Sequence, residues 1–364
     1  MKIATIIPYL ESIAHPSLQE TYDNAGLLVG HSNWDCSGIV ISLDVTEDVV
    51  NEALAKKCNL IVAHHPIIFS GLKKINGKNY IEKTLISAIK NDIAIYAIHT
   101  NLDNVLRGVN GKMAQLLELV SCTVLLPKNN TLKKLFTFAP ADKAEQVRNA
   151  IFQAGGGEIG NYSECSFNAA GTGTFKAGDN TNPYVGQKGK RHYEDEIKIE
   201  VIFPAYLESS IVNAMKSSHS YEEVAYDVIN LSNQHSSTGS GIIGELKETT
   251  DEKGFLALLK NIFKTPVIRH TQLTGRPVKK IALCGGAGSF LINNAIAAGA
   301  DFYVTADMKY HEFFDANGRL VIADPGHYES EQFTIDLLQE VLEQKFRTFA
   351  VLKTTVITNP VKYF

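Results

Sequence analysis

The stretch IVISLDVTEDVVNEALAKKCNLIVAHHP, residues 39–66, reads as strand, helix, strand. Both strands are continuous apolar runs and the segment between them is helical, which is how parallel strands covered on both faces are written. The turn into the helix contains Asp44 and Glu47, read as an N-cap and its N3 partner. The second strand ends in His64 and His65, followed by Pro66. Adjacent side chains on a strand point to opposite faces, so both imidazoles can serve one wall only if the strand has ended; Pro66 indicates that it has. The pair then lies at the carboxyl end of a parallel strand, where open α/β sheets place their ligand sites.

Outward from this unit the pattern repeats. YIEKTLISAIKND (80–92) reads as a helix and IAIYAIHTNLD (93–103) as the next strand with its loop. The later segments KKIALCGGAGS, SFLINNAIAAGA and DFYVTADMKYHE run strand, turn, helix, strand, and a shift of 242 residues lays Leu60, Ile61 and Val62 on Phe302, Tyr303 and Val304. RLVIADPGHYESE (319–331) then takes the place of IAIYAIHTNLD. The fold class is α/β, with two related halves of mainly parallel sheet forming one domain. Near the N-terminus, Ile7, Leu10, Ile13 and Ala14 fall at helical spacing with Pro8 in the first turn, which predicts a docked amphipathic helix and not a signal peptide.

Between the halves the texture changes. LKKLFTFAP, DKAEQVRNAIFQA and a Gly-rich stretch leading through SECSFNAAGTGTF, followed by EIKIEVIFP, YLESSIVNAMKSS and EVAYDVINL, read as strand-helix-strand twice over, the split βαβ order of a ferredoxin-like α+β domain. The glycines of AGTGTF (170–175) read as a bend or bulge. PKNNT at the entrance and SNQHSSTGSG at the exit have turn and linker chemistry. The expected domains are 1–128 and 236–364, the two halves, and 129–235, the insert.

Composition excludes several function classes. Of the 364 residues, 45% are hydrophobic and 20% charged, and no apolar run reaches membrane-span length. A net charge of -4 with scattered Lys and Arg disfavours nucleic-acid binding. The five cysteines are odd in number and never form CxxC, which fits a reducing cytoplasm better than a disulfide framework or a zinc ribbon. No Gly-x-Ser-x-Gly elbow appears, so nucleophilic catalysis by the chain is disfavoured.

His64 and His65 acquire company at equivalent positions. Asp103 follows the next strand of the first half, while His327 and Glu331 follow the matching strand of the second. His327 and Glu331 are four apart and share one face if a helix begins after Pro325. Each residue alone has a structural explanation, as a turn cap, a helix cap or a solvated side chain. Together, three histidines and two carboxylates exceed one four-coordinate zinc and suit two ions roughly 3.5 to 4 Å apart.

VAHHP, HTNLDN and GHYESE, with YDNAGLLVG and VTADMKYHE, resemble the NIF-three-like dinuclear-metal-centre family, whose members are often labelled GTP cyclohydrolase 1 type 2 homologues. The resemblance covers roughly 1–128 and 236–364. It implies metal ligation by His64, His65, Asp103, His327 and Glu331, one ion taking His64 and Asp103, the other His65 and His327, with Glu331 bridging. It implies two divalent ions per chain; His and carboxylate donors admit zinc, expected first, as well as iron or manganese. The insert, through SHSYEEVAYDVI (218–229), is similar to PII/CutA-like domains, and the family implies a homohexamer.

Asp44, His99, Asp307 and His311 fall at strand ends and are secondary candidates, as partners of the ligands or as a general acid or base. CGGAGS (284–289) lacks the Lys-Ser/Thr of a phosphate-binding loop and reads as a tight turn before it reads as a phosphate site. Tyr22, Asp23, Asn24 and Gly26 form a shaped turn near the cleft. The expected function is a cytoplasmic, metal-dependent hydrolase of a small phosphorylated or nucleotide-like metabolite; the alternative is a non-catalytic, oligomeric metal-binding or metabolite-sensing regulator.

Overall fold

The computed structural model describes residues 1–364. Its strands are β1 (Gly26–Val29), β2 (Ile39–Ser42), β3 (Leu60–Ala63), β4 (Ala94–Ala97) and β5 (Val120–Pro127). Then come β6 (Leu132–Pro140), β7 (Phe167–Lys176), β8 (Arg191–Pro204) and β9 (Tyr226–Asn230). Last are β10 (Gly239–Thr250), β11 (Arg269–His270), β12 (Val278–Ala287), β13 (Phe302–Ala306), β14 (Val321–Asp324) and β15 (Val351–Lys353). The architecture is mixed α/β with three sheets. Two compact units partition the chain: Met1–Pro127 with Ser237–Phe364, and Lys128–Ser236. No helix is long and apolar enough to cross a membrane.

In the first unit, one sheet has the order β1-β4-β3-β2-β15. All of it is parallel except the edge strand β1. Every residue of β2, β3 and β4 is buried, because helices cover both faces. Ile39, Ile41, Leu60 and Val62 meet the N-terminal helix (Ile3–Ile13) through Ile3, Ile6 and Leu10. Val40, Ile61 and Ile95 point the other way, to Val49, Val50, Ala53 and Leu85. Alternation along each strand divides the apolar run between two cores.

Two local expectations change. Pro8 lies inside the N-terminal helix and not in its first turn. It is tolerated because Pro8 and Ala4, whose carbonyl loses its partner, are both exposed to water. The helix Glu47–Ala55 is capped by Thr46, whose side chain accepts from the Val49 amide. Asp44 is therefore not the N-cap and is available for another partner.

The second sheet has the order β11-β14-β13-β12-β10-β5. Only β12, β13 and β14 are mutually parallel; β5, β10 and β11 run antiparallel to their neighbours, so this sheet is mixed and not mainly parallel. β5 and β10 flank the Lys128–Ser236 unit, and the pairing of Pro127 with Gly239 makes them the two antiparallel arms of a hairpin whose loop that unit replaces. The 1–128 segment thus lends β5 to the second sheet, while β15 from the 236–364 segment joins the first beside β2.

The Lys128–Ser236 unit has an antiparallel sheet of order β7-β8-β6-β9. Helices Ala144–Gln153 and Glu208–Ser218 bury Val147, Ile151, Ile211 and Met215 with Leu135, Ile199 and Val201 of the sheet. The register of β7 with β8 runs unbroken from Phe167–Glu200 to Lys176–Arg191. The glycines of AGTGTF therefore mark no bulge. At Gly173 the space a Cβ would take is filled by the Glu196 carboxylate, 2.0 Å away, the movable end of a side chain on the neighbouring strand.

The chain after β15 is tied down by Glu52. Its carboxylate accepts from Lys56 Nζ (2.8 Å), the Thr355 amide (2.8 Å) and the hydroxyls of Thr354 and Thr355. Burial opposes its charge, but these donors hold its pKa down from 4.5 to about 2. A depressed carboxylate stabilises the fold above its unfolded pKa and loses that contribution as pH falls through the folded value. Glu52→Gln is expected to cost about 1–2 kcal/mol near neutral pH. The deficit relative to wild type should shrink between pH 4.5 and about 2, as read by chemical denaturation across that range.

Candidate metal centre

The carboxyl ends of the parallel strands of both sheets supply the site. Asp44 follows β2, His64 and His65 follow β3, and His99 to Asp103 follow β4. From the second sheet, Gly285 and Gly286 close β12, Asp307 follows β13, and His327 to Glu331 form a short helix after β14. Glu331, 4% exposed, is the meeting point: its Oε2 lies 3.0 Å from His65 Nε2, 3.0 Å from His327 Nε2 and 3.9 Å from His64 Nε2. Asp103 Oδ1 is 3.7 Å from His64 Nε2. Two ligand groupings share Glu331, namely His64 with Asp103 and His65 with His327, with all donor atoms of each within 4.8 Å of one another. A third grouping joins His64, His65 and His99.

Each imidazole is aimed by its other nitrogen. Nδ1 of His64 donates to the Ile98 carbonyl (2.9 Å), that of His65 to Asp44 (2.8 Å) and that of His327 to Asp307 (2.8 Å). All three Nε2 atoms therefore face the cluster, the arrangement by which outer partners fix metal-binding histidines. Asp307 sits in the left-handed region at φ 55°, a conformation that costs energy for a residue with a Cβ but is least unusual for Asp and Asn. Asp44 and Asp307, both secondary candidates from the sequence, occupy these supporting positions.

His99 stands beside the cluster, its ring 5.3 Å from those of His64 and His65. Its Nδ1 meets Asp23 at 2.7 Å, and Asp23 also accepts from the amide and hydroxyl of Thr100. Burial opposes the Asp23 charge, but hydrogen bonds from His99 and Thr100 lower its pKa to about 2. Neither His99 nor Asp44 acts as a side-chain helix cap. His311 does not join: it lies exposed, against Tyr310 and Phe314.

Burial and mutual contact shift the groups of the cluster in opposite directions. Burial pushes the His64 pKa down to about 4, keeping it neutral. Burial, reinforced by the Glu331 charge, pushes Asp103 well above the usual carboxylate range. Burial also opposes the Glu331 charge, but His327, His64 and His65 hold its pKa well below the ordinary value. His65 rises to about 10, the hydrogen bonds to Asp44 and Glu331 overcoming burial. His64 Nε2 and Asp103 Oδ1 are buried and have no hydrogen-bond partner. Buried polar atoms without partners are costly, and two facing each other across 3.7 Å are the donor atoms a divalent cation would satisfy.

No local sequence pattern marks the supports behind Asp103 and Glu331. The Gly285 amide donates to Asn110 Oδ1 (2.8 Å), whose own amide reaches the Asp103 carbonyl (3.1 Å). The Gly286 amide donates to Ser330 Oγ (3.1 Å). The first four residues of CGGAGS thus continue the strand, and the Gly285 and Gly286 amides are engaged by side chains and not open to a phosphate. Gly286 has φ 61°, and a Cβ there would stand 2.3 Å from Glu331 Oε1.

Similarity to known proteins extends over nearly the whole chain. The sequence profile of Duf34/NIF3 (NGG1p interacting factor 3) matches residues 1–360. The chain belongs to the Duf34/NIF3 family. A relative from Halalkalibacterium halodurans, named GTP cyclohydrolase 1 type 2 homolog, is 39% identical over 99% of both chains. One of the same name from Bacillus subtilis is 39% identical over 89% of this chain and 87% of its own. Among solved structures, a Bacillus cereus protein related to NIF3 superposes with a TM-score of 0.87 at 38% identity, covering 100% of this chain and 99% of that one.

In this family member, Asp307→Asn should weaken divalent-cation affinity by about 10- to 100-fold, the usual cost of losing an outer partner. Gly286→Ala, which displaces the Glu331 carboxylate, should weaken it at least as much. Competition against a chromogenic chelator reads both, and unchanged affinity in either variant would contradict the geometry.

Proposed function

We propose that the first unit holds two divalent cations, one between His64 and Asp103 and one between His65 and His327, with Glu331 common to both. The observation that carries this is the pair of partnerless buried atoms, His64 Nε2 and Asp103 Oδ1, beside a carboxylate shared by two ligand groupings. Imidazole and carboxylate donors fit zinc first and admit iron or manganese. Such ions, when bound, supply Lewis-acid activation, and the chemistry this favours is hydrolysis.

The substrate in this reading is a small phosphorylated or nucleotide-like metabolite. A cavity of about 380 Å3 opens on His65, Asp103, His327 and Glu331, and Tyr22, Phe69 and Phe290 present rings on its wall. Flat rings suit a heterocycle. The lining holds no Lys or Arg, which leaves any phosphate charge to the cations. His99, fixed by Asp23, lines the same cavity and is placed to exchange a proton with a bound ligand. The name GTP cyclohydrolase 1 type 2 homolog belongs to the relatives, and guanine ring opening is one case of this class.

The Lys128–Ser236 unit is, in this proposal, a PII/CutA-like ferredoxin-fold domain, a reading its strand and helix order supports. The assembly is a homohexamer by family membership alone. All five cysteines are free, in keeping with a cytoplasmic protein. A second reading, a non-catalytic metabolite-sensing regulator, is favoured by a separate cavity in the Lys128–Ser236 unit.

The test is turnover of a panel of nucleotides and phosphoesters by zinc- and manganese-loaded protein. Metal-dependent turnover lost in Asp103→Ala, with the oligomer intact by light scattering, supports the hydrolase. Bound metal without turnover on the whole panel favours the regulator. Turnover unaffected by Asp103→Ala would refute the site.

A further inference from the structure

The cavity in the Lys128–Ser236 unit measures about 450 Å3, the size of a small-molecule site. Its wall is assembled by the SHSYEE turn that the metal centre leaves unused. His219 fixes that turn: its Nδ1 accepts from the Tyr221 amide (3.0 Å) and its Nε2 donates to the Phe138 carbonyl (3.0 Å). The Tyr221 ring then stands 6.2 Å from Phe175 and 6.4 Å from Tyr184, centroid to centroid.

A carboxylate is held against these rings. The Tyr221 hydroxyl donates to Glu196 Oε1 (2.8 Å), and Glu196 Oε2 lies over Gly173, where any Cβ would stand 2.0 Å away. The glycine in mid-strand thus makes room for a half-buried acid. Glu222 accepts from the Asn182 amide (2.8 Å), which ties down the segment carrying Thr181, Pro183 and Tyr184 to the cavity lining. Glu196, Glu222 and Glu223 outnumber the one cation of the lining, Lys176; of these four only Glu196 is half-buried and the others are exposed.

Aromatic faces carry negative charge density and attract cations, the more so beside a carboxylate. An anion would be repelled by the same wall. The groupings with metal-ligand spacing all lie in the other unit, and rings beside a carboxylate suit an organic cation. We propose that the Lys128–Ser236 unit binds a small organic cation, an ammonium- or guanidinium-bearing metabolite, over the Tyr221 ring with Glu196 as its counter-ion. This site is separate in residues and chemistry from the metal centre, and its test does not depend on turnover.

Isothermal titration of the full-length protein with choline, with agmatine and with 3,3-dimethylbutan-1-ol, the uncharged isostere of choline, reads the proposal. Saturable binding of at least one cation is expected, with the isostere weaker than choline by about ten-fold or more. Glu196→Gln should weaken cation binding by about ten-fold and Tyr221→Leu should abolish it. Tyr221→Phe, which keeps the ring and loses one hydrogen bond, should retain most of the affinity and guards against misreading a folding defect. The proposal is overturned if neither cation saturates at millimolar concentration, if choline saturates and its uncharged isostere binds as tightly, or if Glu196→Gln and Tyr221→Leu bind as wild type does.

Discussion

A carboxylate almost fully removed from water, Glu331, faces three imidazole Nε2 atoms, and the surrounding structure is arranged around the cost of that burial. An isolated buried carboxylate is strongly unfavourable, so it must be met by positive charge, by hydrogen bonds or by a metal. Here the imidazoles meet it from two directions. His64 and His65 come from the end of β3 and His327 comes from the same short helix as Glu331 itself. The three Nδ1 atoms are occupied by Ile98, Asp44 and Asp307, so the rings cannot turn away without losing a hydrogen bond. What stays unsatisfied is the pair His64 Nε2 and Asp103 Oδ1, the place where a cation adds most.

The fold supplies the rigidity this needs. Strands β2, β3 and β4 are buried along their whole length, and their register sets Asp44, His65 and His99 side by side at one end of the sheet. The two sheets are also laced together. β5 belongs by sequence to the first segment and by pairing to the second sheet, and β15 makes the reverse exchange. The chain beyond β15 then reaches the site: the Thr358 hydroxyl donates to Asp44 Oδ2 (2.6 Å), and Asp44 orients His65. A contact between residues more than three hundred apart in sequence thereby bears on one ligand's direction.

Much of this was legible because it is written locally. Apolar runs gave the central strands, Pro66 marked where the strand before His64 and His65 had ended, and the spacing after Pro325 put His327 and Glu331 on one helical face. Supports that depend on distant partners were not legible. Asp44 looked like a helix cap because Thr46, two residues on, offers the same chemistry, and only the fold assigns the cap to one and His65 to the other. Asn110 and Ser330 carry no pattern that predicts their hold on Gly285 and Gly286. The antiparallel part of the second sheet was hidden because β5 and β10 are separated by the insertion. Of the two glycines of AGTGTF, Gly173 lies beside a carboxylate and Gly171 beside open space, and a glycine in a strand has the same appearance whether it admits a bulge or a neighbouring side chain.

The most direct measurement is anomalous diffraction from crystals of the protein grown with zinc or manganese. Two scatterers are predicted within coordination distance of Glu331, one touching His64 and Asp103 and the other His65 and His327. A map without anomalous density among those five side chains, or with its peaks on other residues, would contradict the metal centre.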